Sequence, residues 1–295
     1  MVRSADGTAI RAWSNDGDGP AVLLCNGLGT PPEAWPGLVA GDSGYRVVTW
    51  YHRGLGGSGR PADPARVRVE DHTDDARAVL DAFGLESAAV VGWSLGVNVA
   101  FELALEDPAR VAGVLAVAGV PGGSYSSLFA TYGVPRPLRA PLGRWGSRVL
   151  PLVGPLLPVL LASLPPWHDL LAPAATRGPA REVAHPGALT AVLREFARHD
   201  WAWYRHLSVA LADHAPLDVT GVDCPVTFLA GRFDSLVDVA DVRTAARSVP
   251  GARFRELLGT HFLPLQYPEV MLAELGRLTG GPSAATVQDS ETPSR

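Results

Sequence analysis

A serine stands between two glycines in the pentapeptide GWSLG at residues 92–96, and this spacing suits a serine that attacks a substrate. The four apolar residues before the motif, AAVV, predict a buried strand, and the apolar run after it predicts a helix. A nucleophile at a sharp turn between a strand and a helix needs small neighbours, which Gly92 and Gly96 provide. We therefore predict that Ser94 is a nucleophile; the alternative is that Ser94 only caps the helix.

Residues for other kinds of catalysis are scarce in this chain. All 25 basic residues are arginine, so no lysine amine is available for a Schiff base. Cys25 and Cys224 stand in apolar runs, which predicts buried small side chains and neither a nucleophile nor a disulfide framework. The acids and histidine of EDHTDD at 70–75 suit the first turn of a helix, and the glycines at 54–59 lack the lysine of a phosphate loop. We predict no metal and no other cofactor.

The segments that must position Ser94 alternate between strand and helix patterns. Continuous apolar runs predict strands buried on both faces, and runs with helical spacing lie between them. This alternation predicts an α/β fold with a mostly parallel central sheet. The predicted strands cover residues 8–13, 21–25, 46–50, 88–91, 111–118, 225–230 and 252–258, and the predicted helices cover 70–83, 95–105, 239–248 and 264–278.

The alternating pattern stops in the middle of the chain. Residues 122–215 carry many prolines and helical pieces without a buried strand pattern, so we predict a helical cap over this range. Residues 1–121 and 216–279 then form the core. The last residues, 280–295, are rich in Gly, Ser, Thr and Pro, which predicts a disordered tail.

The strand, the GxSxG serine and the following helix together resemble the nucleophile elbow of the α/β-hydrolase fold superfamily. The resemblance covers roughly residues 5–280. It implies helices on both faces of the sheet and a helical cap inserted after the sixth strand. In this family the acid and the histidine follow the nucleophile along the chain. Asp234, in GRFD after one predicted strand, resembles the family's acid, and His261, in GTHF after the next, resembles its histidine.

The resemblance therefore implies a catalytic triad of Ser94, Asp234 and His261. His261 would take the proton of the serine hydroxyl, and Asp234 would fix the tautomer of the imidazole. Taken singly, Asp234 could be a loop cap and His261 a surface histidine. Asp238 and Asp241 are nearby acids, but they fall at the start of the next predicted helix, where acids favour the helix dipole.

The family's oxyanion hole has counterparts in two backbone N–H groups, those of Leu95 and Leu28. The loop NGLG at residues 26–29 resembles the family's His-Gly-x motif, with Asn in place of His; an ordinary glycine turn is the alternative. The segment YHRGLGGS at 51–58 resembles another family signature, with Tyr in place of its first Asp. We interpret that segment as structural: Arg53 ties loops together and His52 faces solvent or bonds within its loop.

A serine nucleophile argues against haloalkane and epoxide hydrolysis, since the family members with these activities use an aspartate at that position. Ester, lactone, thioester and carbon–carbon bond hydrolysis, perhydrolase chemistry and acyl transfer stay open. We expect hydrolysis of a carboxylic ester of a small apolar substrate through an acyl-enzyme. The alternative is a biosynthetic protein that acts as a carbon–carbon hydrolase, a lyase or a cyclase, or that binds a ligand without acyl transfer.

The remaining expectations concern the pocket and the partners. Trp93, Trp35 and Trp167 are candidates for the substrate pocket. The apolar stretch at 149–164 is too short and too rich in proline for a membrane helix, which favours a lid helix. The net charge of −5 gives no reason to expect a nucleic-acid partner, and the first residues lack the apolar region of a signal peptide. We expect a cytoplasmic enzyme and predict no oligomeric state.

Overall fold

The computed structural model of the protein describes residues 1–156, 184 and 186–281. The strands within these residues are β1 (Val2–Arg3), β2 (Ala9–Ile10), β3 (Ala12–Ser14), β4 (Ala21–Cys25), β5 (Arg46–Trp50), β6 (Ala88–Trp93), β7 (Val111–Val117), β8 (Val226–Gly231) and β9 (Arg253–Leu257). The helices are α1 (Pro36–Val39), α2 (Val69–Ala82), α3 (Leu95–Glu106), α4 (Arg136–Val153), α5 (Pro186–Ala197), α6 (Trp201–Asp213), α7 (Val239–Ser248), α8 (Leu263–Gln266) and α9 (Pro268–Thr279).

Seven of the described strands form one sheet in the order β3-β5-β4-β6-β7-β8-β9, and β1 and β2 form a separate antiparallel pair. β3 is antiparallel to β5, whereas the other neighbours in the large sheet are parallel. This confirms the α/β class and the mostly parallel sheet. The carboxyl ends of β6, β8 and β9 lie at one edge of the sheet, which is where open α/β sheets bind ligands.

Apolar clusters cover both faces of the sheet, as expected for parallel strands. Alternate residues of β4 point to opposite faces: Leu23 packs in a cluster with α2, α3 and α7, and Leu24 packs in a cluster with α1 and α9. The continuous apolar runs of the sequence therefore predicted their strands well. The bounds of β4 and β5 agree with the prediction residue for residue.

Two predicted elements are divided in the structure. The strand expected over residues 8–13 is interrupted at Arg11 and becomes β2 and β3. The final helix ends at Gln266 and begins again at Pro268, because a residue before proline is disfavoured in helical geometry. Tyr267 between them has φ −134° and ψ 51°, which lies outside the helical region.

The described part of residues 122–215 contains α4, α5, α6 and short 3-10 turns, and no strand. We call this range the insertion. It leaves the core after β7, the fifth strand of the large sheet in chain order, so the strand count differs from the expected one. Its two ends are joined, since the Gly123 N–H donates to the His214 carbonyl at 3.1 Å and the Leu217 N–H donates to the Pro121 carbonyl at 3.1 Å.

Some expectations fall outside the described residues. Trp167, the later part of the apolar stretch at 149–164, and the tail from residue 282 onward belong to this group. The division into core and cap therefore stays a prediction. Among the helices that the structure describes, none has the length and apolar character to cross a membrane.

Candidate active site

Ser94 occupies the turn between β6 and α3, and its backbone is strained. Its φ of 55° and ψ of −114° lie outside the regions that residues with a side chain ordinarily adopt. Two hydrogen bonds hold this conformation: the Ser94 N–H donates to the Val117 carbonyl at 3.0 Å, and the Ser94 carbonyl accepts from the Val97 N–H at 3.1 Å. Ser94 is partly buried.

The glycines around Ser94 are required by close backbone contacts. A Cβ atom on Gly96 would lie 1.8 Å from the Cys25 carbonyl oxygen, and one on Gly92 would lie 2.6 Å from the Gly96 carbonyl oxygen. Both distances are far below van der Waals contact. The small residues expected on both sides of the serine are therefore needed to bring β4, β6 and α3 together.

Asp234 and His261 lie in the loops that follow β8 and β9. The His261 Nδ1 atom is 2.9 Å from Asp234 Oδ2. The other carboxylate oxygen, Oδ1, accepts the N–H groups of Leu236 at 2.7 Å and Val237 at 2.9 Å. Both side chains are buried. The carboxylate is thus fixed by its own loop, and one oxygen is left to orient the imidazole.

The backbone of His261 is tied to the residue beside the serine. The Trp93 Nε1–H group donates to the His261 carbonyl at 2.9 Å, and the two rings lie 5.8 Å apart between centroids. A second support comes from Gln266, whose Oε1 accepts the Thr260 N–H at 2.8 Å. Among the hydrogen bonds of the described residues, none joins Ser94 to His261.

The loop at residues 26–29 lies directly against Ser94. A Cβ atom on Gly27 would be 3.5 Å from Ser94 Cβ. The Gly27 carbonyl accepts two hydrogen bonds from Thr30, one from its N–H at 3.0 Å and one from its hydroxyl at 2.7 Å. These bonds fix the peptide plane that carries the Leu28 N–H. Within the described residues, the N–H groups of Leu28 and Leu95 donate no hydrogen bond outside the regular helices and strands.

Two side chains of the insertion also hold this loop, and neither was found from the sequence. The His199 Nε2 atom is 2.7 Å from the Gly29 carbonyl oxygen, and the Tyr204 hydroxyl donates to the Leu28 carbonyl at 3.4 Å. The two rings stack with centroids 5.6 Å apart. Burial lowers the pKa of His199, so its ring is neutral at pH 7. Since the contacts join distant parts of the chain, no local pattern could predict them.

The tryptophans proposed for the pocket have different positions. Trp35 and Trp93 are both 1% exposed and belong to the apolar core on one face of the sheet. The indole of Trp35 donates to Asn26 Oδ1 at 2.9 Å and so fixes the side chain of the residue that stands where the resemblance has His. Whether Trp35 and Trp93 line the substrate pocket stays a prediction.

A cavity of about 370 Å³ lies within the insertion. It is lined by Pro151, Pro155, Ala197, His199, Asp200, Trp201 and Ala202.

The arginine loop has the structural role that the sequence predicted. The Arg53 side chain is fully buried and pairs with Asp75 at 2.8 Å and with Asp6. The expectation that His52 faces solvent is wrong, because this ring is buried and packs edge-on against His72 with centroids 5.2 Å apart. Burial and the neighbouring His72 lower the pKa of His52 to about 3.

The remaining nucleophile candidates are the cysteines. Both are free thiols; Cys25 is buried and Cys224 is partly buried. Burial raises the pKa of both thiols, which disfavours the reactive thiolate. The serine is therefore the better placed nucleophile.

Comparison with known families agrees with this geometry. A family model described as "alpha/beta hydrolase fold" matches residues 20–267. The chain belongs to this family. The match spans most of the chain and includes Ser94, Asp234 and His261, so the α/β-hydrolase resemblance of the GxSxG motif is confirmed at the level of the family.

Individual relatives of this α/β-hydrolase match over shorter stretches. A "putative carbamate hydrolase RutD" of Caulobacter segnis is 40% identical over 99 residues, which are 33% of this chain and 37% of that protein. Epoxide hydrolase B of Mycobacterium tuberculosis is 35% identical over 126 residues, which are 39% of this chain and 34% of that protein. The chain thus matches little more than a third of the length of these relatives.

Solved structures match over nearly the whole chain. The enol-lactonase from Burkholderia xenovorans LB400 has a TM-score of 0.70 with 21% sequence identity, and the match covers 94% of this chain and 99% of that one. At this identity the similarity establishes the shared fold. The fold therefore extends through both parts of the core.

Proposed function

We propose that the protein is a serine hydrolase that cleaves a carboxylic ester of a small apolar substrate. The observation that carries this proposal is the 2.9 Å contact between His261 Nδ1 and Asp234 Oδ2 in the loops after β8 and β9, together with the strained backbone of Ser94 after β6. Asp234 accepts from the Nδ1–H group, which leaves the Nε2 lone pair of His261 to act as a base. An acid, a base and a nucleophilic hydroxyl from three separate loops are what acyl transfer requires.

The reaction follows from these positions. His261 Nε2 takes the proton of the Ser94 hydroxyl as the oxygen attacks the ester carbonyl. The N–H groups of Leu28 and Leu95 stabilise the negative oxygen of the tetrahedral intermediate. His261 then donates the proton to the leaving alcohol, and an acyl-enzyme remains. Water, activated by the same histidine, releases the acid and restores the serine.

The relatives support a reaction at a carbonyl carbon more than one at an epoxide. The name of the RutD relatives describes a carbamate hydrolase, and a carbamate has the same kind of carbonyl as an ester. Epoxide hydrolase B is a comparable relative by identity. However, epoxide hydrolysis in this family proceeds through an aspartate nucleophile, and this chain has Ser94 in that place.

The Ser94→Ala variant tests the proposal. We expect its activity on short p-nitrophenyl esters to fall at least about 10³-fold, the scale of losing a triad member. The matched control is Ser248→Ala, which removes an exposed serine at the end of α7 and should keep full activity. Equal activity of Ser94→Ala and the parent protein would contradict the proposed mechanism.

One observation favours a second candidate function, in which the protein binds a small ligand or acts without acyl transfer. Among the described residues, no hydrogen bond activates the Ser94 hydroxyl through His261. A fluorophosphonate probe separates the two functions, because it labels only an activated serine. Labelling of the parent and not of Ser94→Ala supports the hydrolase; an unlabelled parent protein supports the second candidate.

A further inference from the structure

A group of three potential metal ligands lies where the insertion returns to the core. The donor atoms of Glu70, Glu102 and His214 are all within 4.8 Å of one another. Glu70 belongs to the first turn of α2, Glu102 to the middle of α3, and His214 to the C-terminal end of α6. These residues are far apart in the sequence, so local spacing predicted no metal site there.

The histidine of this group lacks a hydrogen-bond partner. The side chain of His214 is only 6% exposed, and its buried Nε2 atom makes no hydrogen bond with the described residues. This atom faces Glu102 Oε1 at 3.4 Å. A buried polar atom without a partner is costly, and a ligand at this position would remove that cost.

The charge of the group also favours a cation. Within the described residues, neither Glu70 nor Glu102 forms an ion pair with an arginine; the nearby Arg77 pairs with Glu106 and Asp74. A bound cation would offset the repulsion between the carboxylates.

We propose that Glu70, Glu102 and His214 bind a divalent transition-metal ion such as Zn²⁺. One imidazole nitrogen and two carboxylate oxygens are ligands that Zn²⁺ accepts, with a water molecule in the fourth position. Donor atoms around one zinc ion lie roughly 3–4 Å apart, given metal–ligand distances of about 2.0–2.2 Å. The donor atoms lie within 4.8 Å of one another without an ion, so the proposal requires them to move closer on binding, and Glu70 is the exposed member of the group.

The site would act as a clamp between the insertion and the core. His214 lies at the junction, where its carbonyl accepts the Gly123 N–H. Glu102 lies on the helix that begins beside Ser94. An ion shared by these residues would fix the end of α6 to α2 and α3. The inference does not depend on the proposed hydrolase activity, because the three residues lie outside the candidate active site.

Metal titration of the full-length protein, stripped with a chelator, tests the proposal. We expect one equivalent of Co²⁺ to give visible d–d absorption bands that Zn²⁺ abolishes by displacement. Zn²⁺ at about a hundredfold excess over its dissociation constant should raise Tm by about 5 °C. The Ser94→Ala variant should bind the metal as the parent does, which separates this result from a failure of the hydrolase proposal.

Variants identify the ligands. Glu102→Gln and His214→Gln should each weaken Zn²⁺ binding by at least about 100-fold, a loss expected when a ligand is removed. Glu70→Gln changes an exposed side chain and should leave the fold intact. It therefore tests the site even if Glu102→Gln or His214→Gln does not fold. The controls are His206→Gln and Glu106→Gln, which should bind as the parent does. Absence of stoichiometric binding, or equal affinity in the ligand and control variants, would overturn the proposal.

Discussion

Thr30 contacts the loop beside Ser94, and the sequence analysis did not identify it as a site residue. Its hydroxyl donates to the Gly27 carbonyl at 2.7 Å, and the same peptide group carries the Leu28 N–H on its other side. The direction of that N–H is therefore set by Thr30. Since a donor in an oxyanion hole must point to the developing charge before the reaction, Thr30 is a positioning residue for the proposed chemistry.

Thr30→Val removes this hydroxyl and keeps the shape of the side chain. We expect kcat for ester hydrolysis to fall about tenfold, the equivalent of one hydrogen bond, while KM changes little. Thr30→Ser keeps the hydroxyl and should restore kcat. Steady-state kinetics of the two variants measure this effect, and a parental kcat in Thr30→Val would contradict the positioning role of the Thr30 hydroxyl.

Asp234→Asn tests the tautomer of His261. The amide has an N–H donor in place of one carboxylate oxygen, so it no longer selects the Nδ1–H tautomer of the imidazole. We expect kcat to fall by about 10³–10⁴-fold with the fold intact. Asp223→Asn, which changes an exposed aspartate, should keep full activity. A loss below about tenfold would mean that another acid orients His261.

The three candidate triad residues were proposed because each follows a strand pattern, and the family model matches the segment that contains them. Thr30 had one local signal, as a threonine three residues after Gly27 is suited to bond to its carbonyl. His199 and Tyr204 had none, since they reach the loop from a distant helix. Contacts between residues that are far apart in the sequence leave no local pattern, so they could not be predicted from residue spacing.

At the scale of the elements, the sequence predicted the core strands and the core helices about equally well, and α7 has the expected bounds. A strand buried on both faces is a short apolar run, and β4 and β5 have the expected bounds. Helix α4 is harder to predict because it continues through Pro141 and Pro151, which usually end a helix. The position of a helix on the core depends on the residues that it packs against, and these belong to other segments of the chain.

Gly96→Ala tests the packing of α3 against β4. The added methyl would lie 1.8 Å from the Cys25 carbonyl oxygen, so backbone must move. We expect a loss of more than about 4 kcal/mol in the free energy of unfolding, measured with urea. The matched control is Gly146→Ala in α4, where a Cβ meets no atom within 4 Å. That variant should gain about 0.5–1 kcal/mol. Equal stability of both variants would contradict the close contact.

At the scale of the whole molecule, acid should destabilise the fold through His52. Its ring is buried and neutral, and its pKa is lowered to about 3. The unfolded chain binds a proton below about pH 6.5, so this contribution to stability is complete above that pH and is lost as the pH falls toward 3. The loss for one such group is about 1.4 kcal/mol per pH unit.

Urea unfolding at pH 7 and pH 5 measures this effect. The decrease in the free energy of unfolding should be smaller in His52→Gln than in the parent, because one buried titrating ring is absent. The comparison concerns the change between the two pH values, so a constant packing defect in the variant does not alter it. His206→Gln serves as the control and should keep the parental decrease. Identical decreases in all three proteins would show that His52 does not titrate as expected.

The hydrogen bonds between Pro121 and Leu217 and between Gly123 and His214 bring both ends of the insertion to one point of the core. Because the insertion begins and ends at the same place, its length does not constrain the distance between β7 and β8. Its length and sequence can therefore change in evolution while the sheet, and with it the geometry of the site, is inherited intact. The described part of the insertion can therefore vary without moving the loops that carry Ser94, Asp234 and His261.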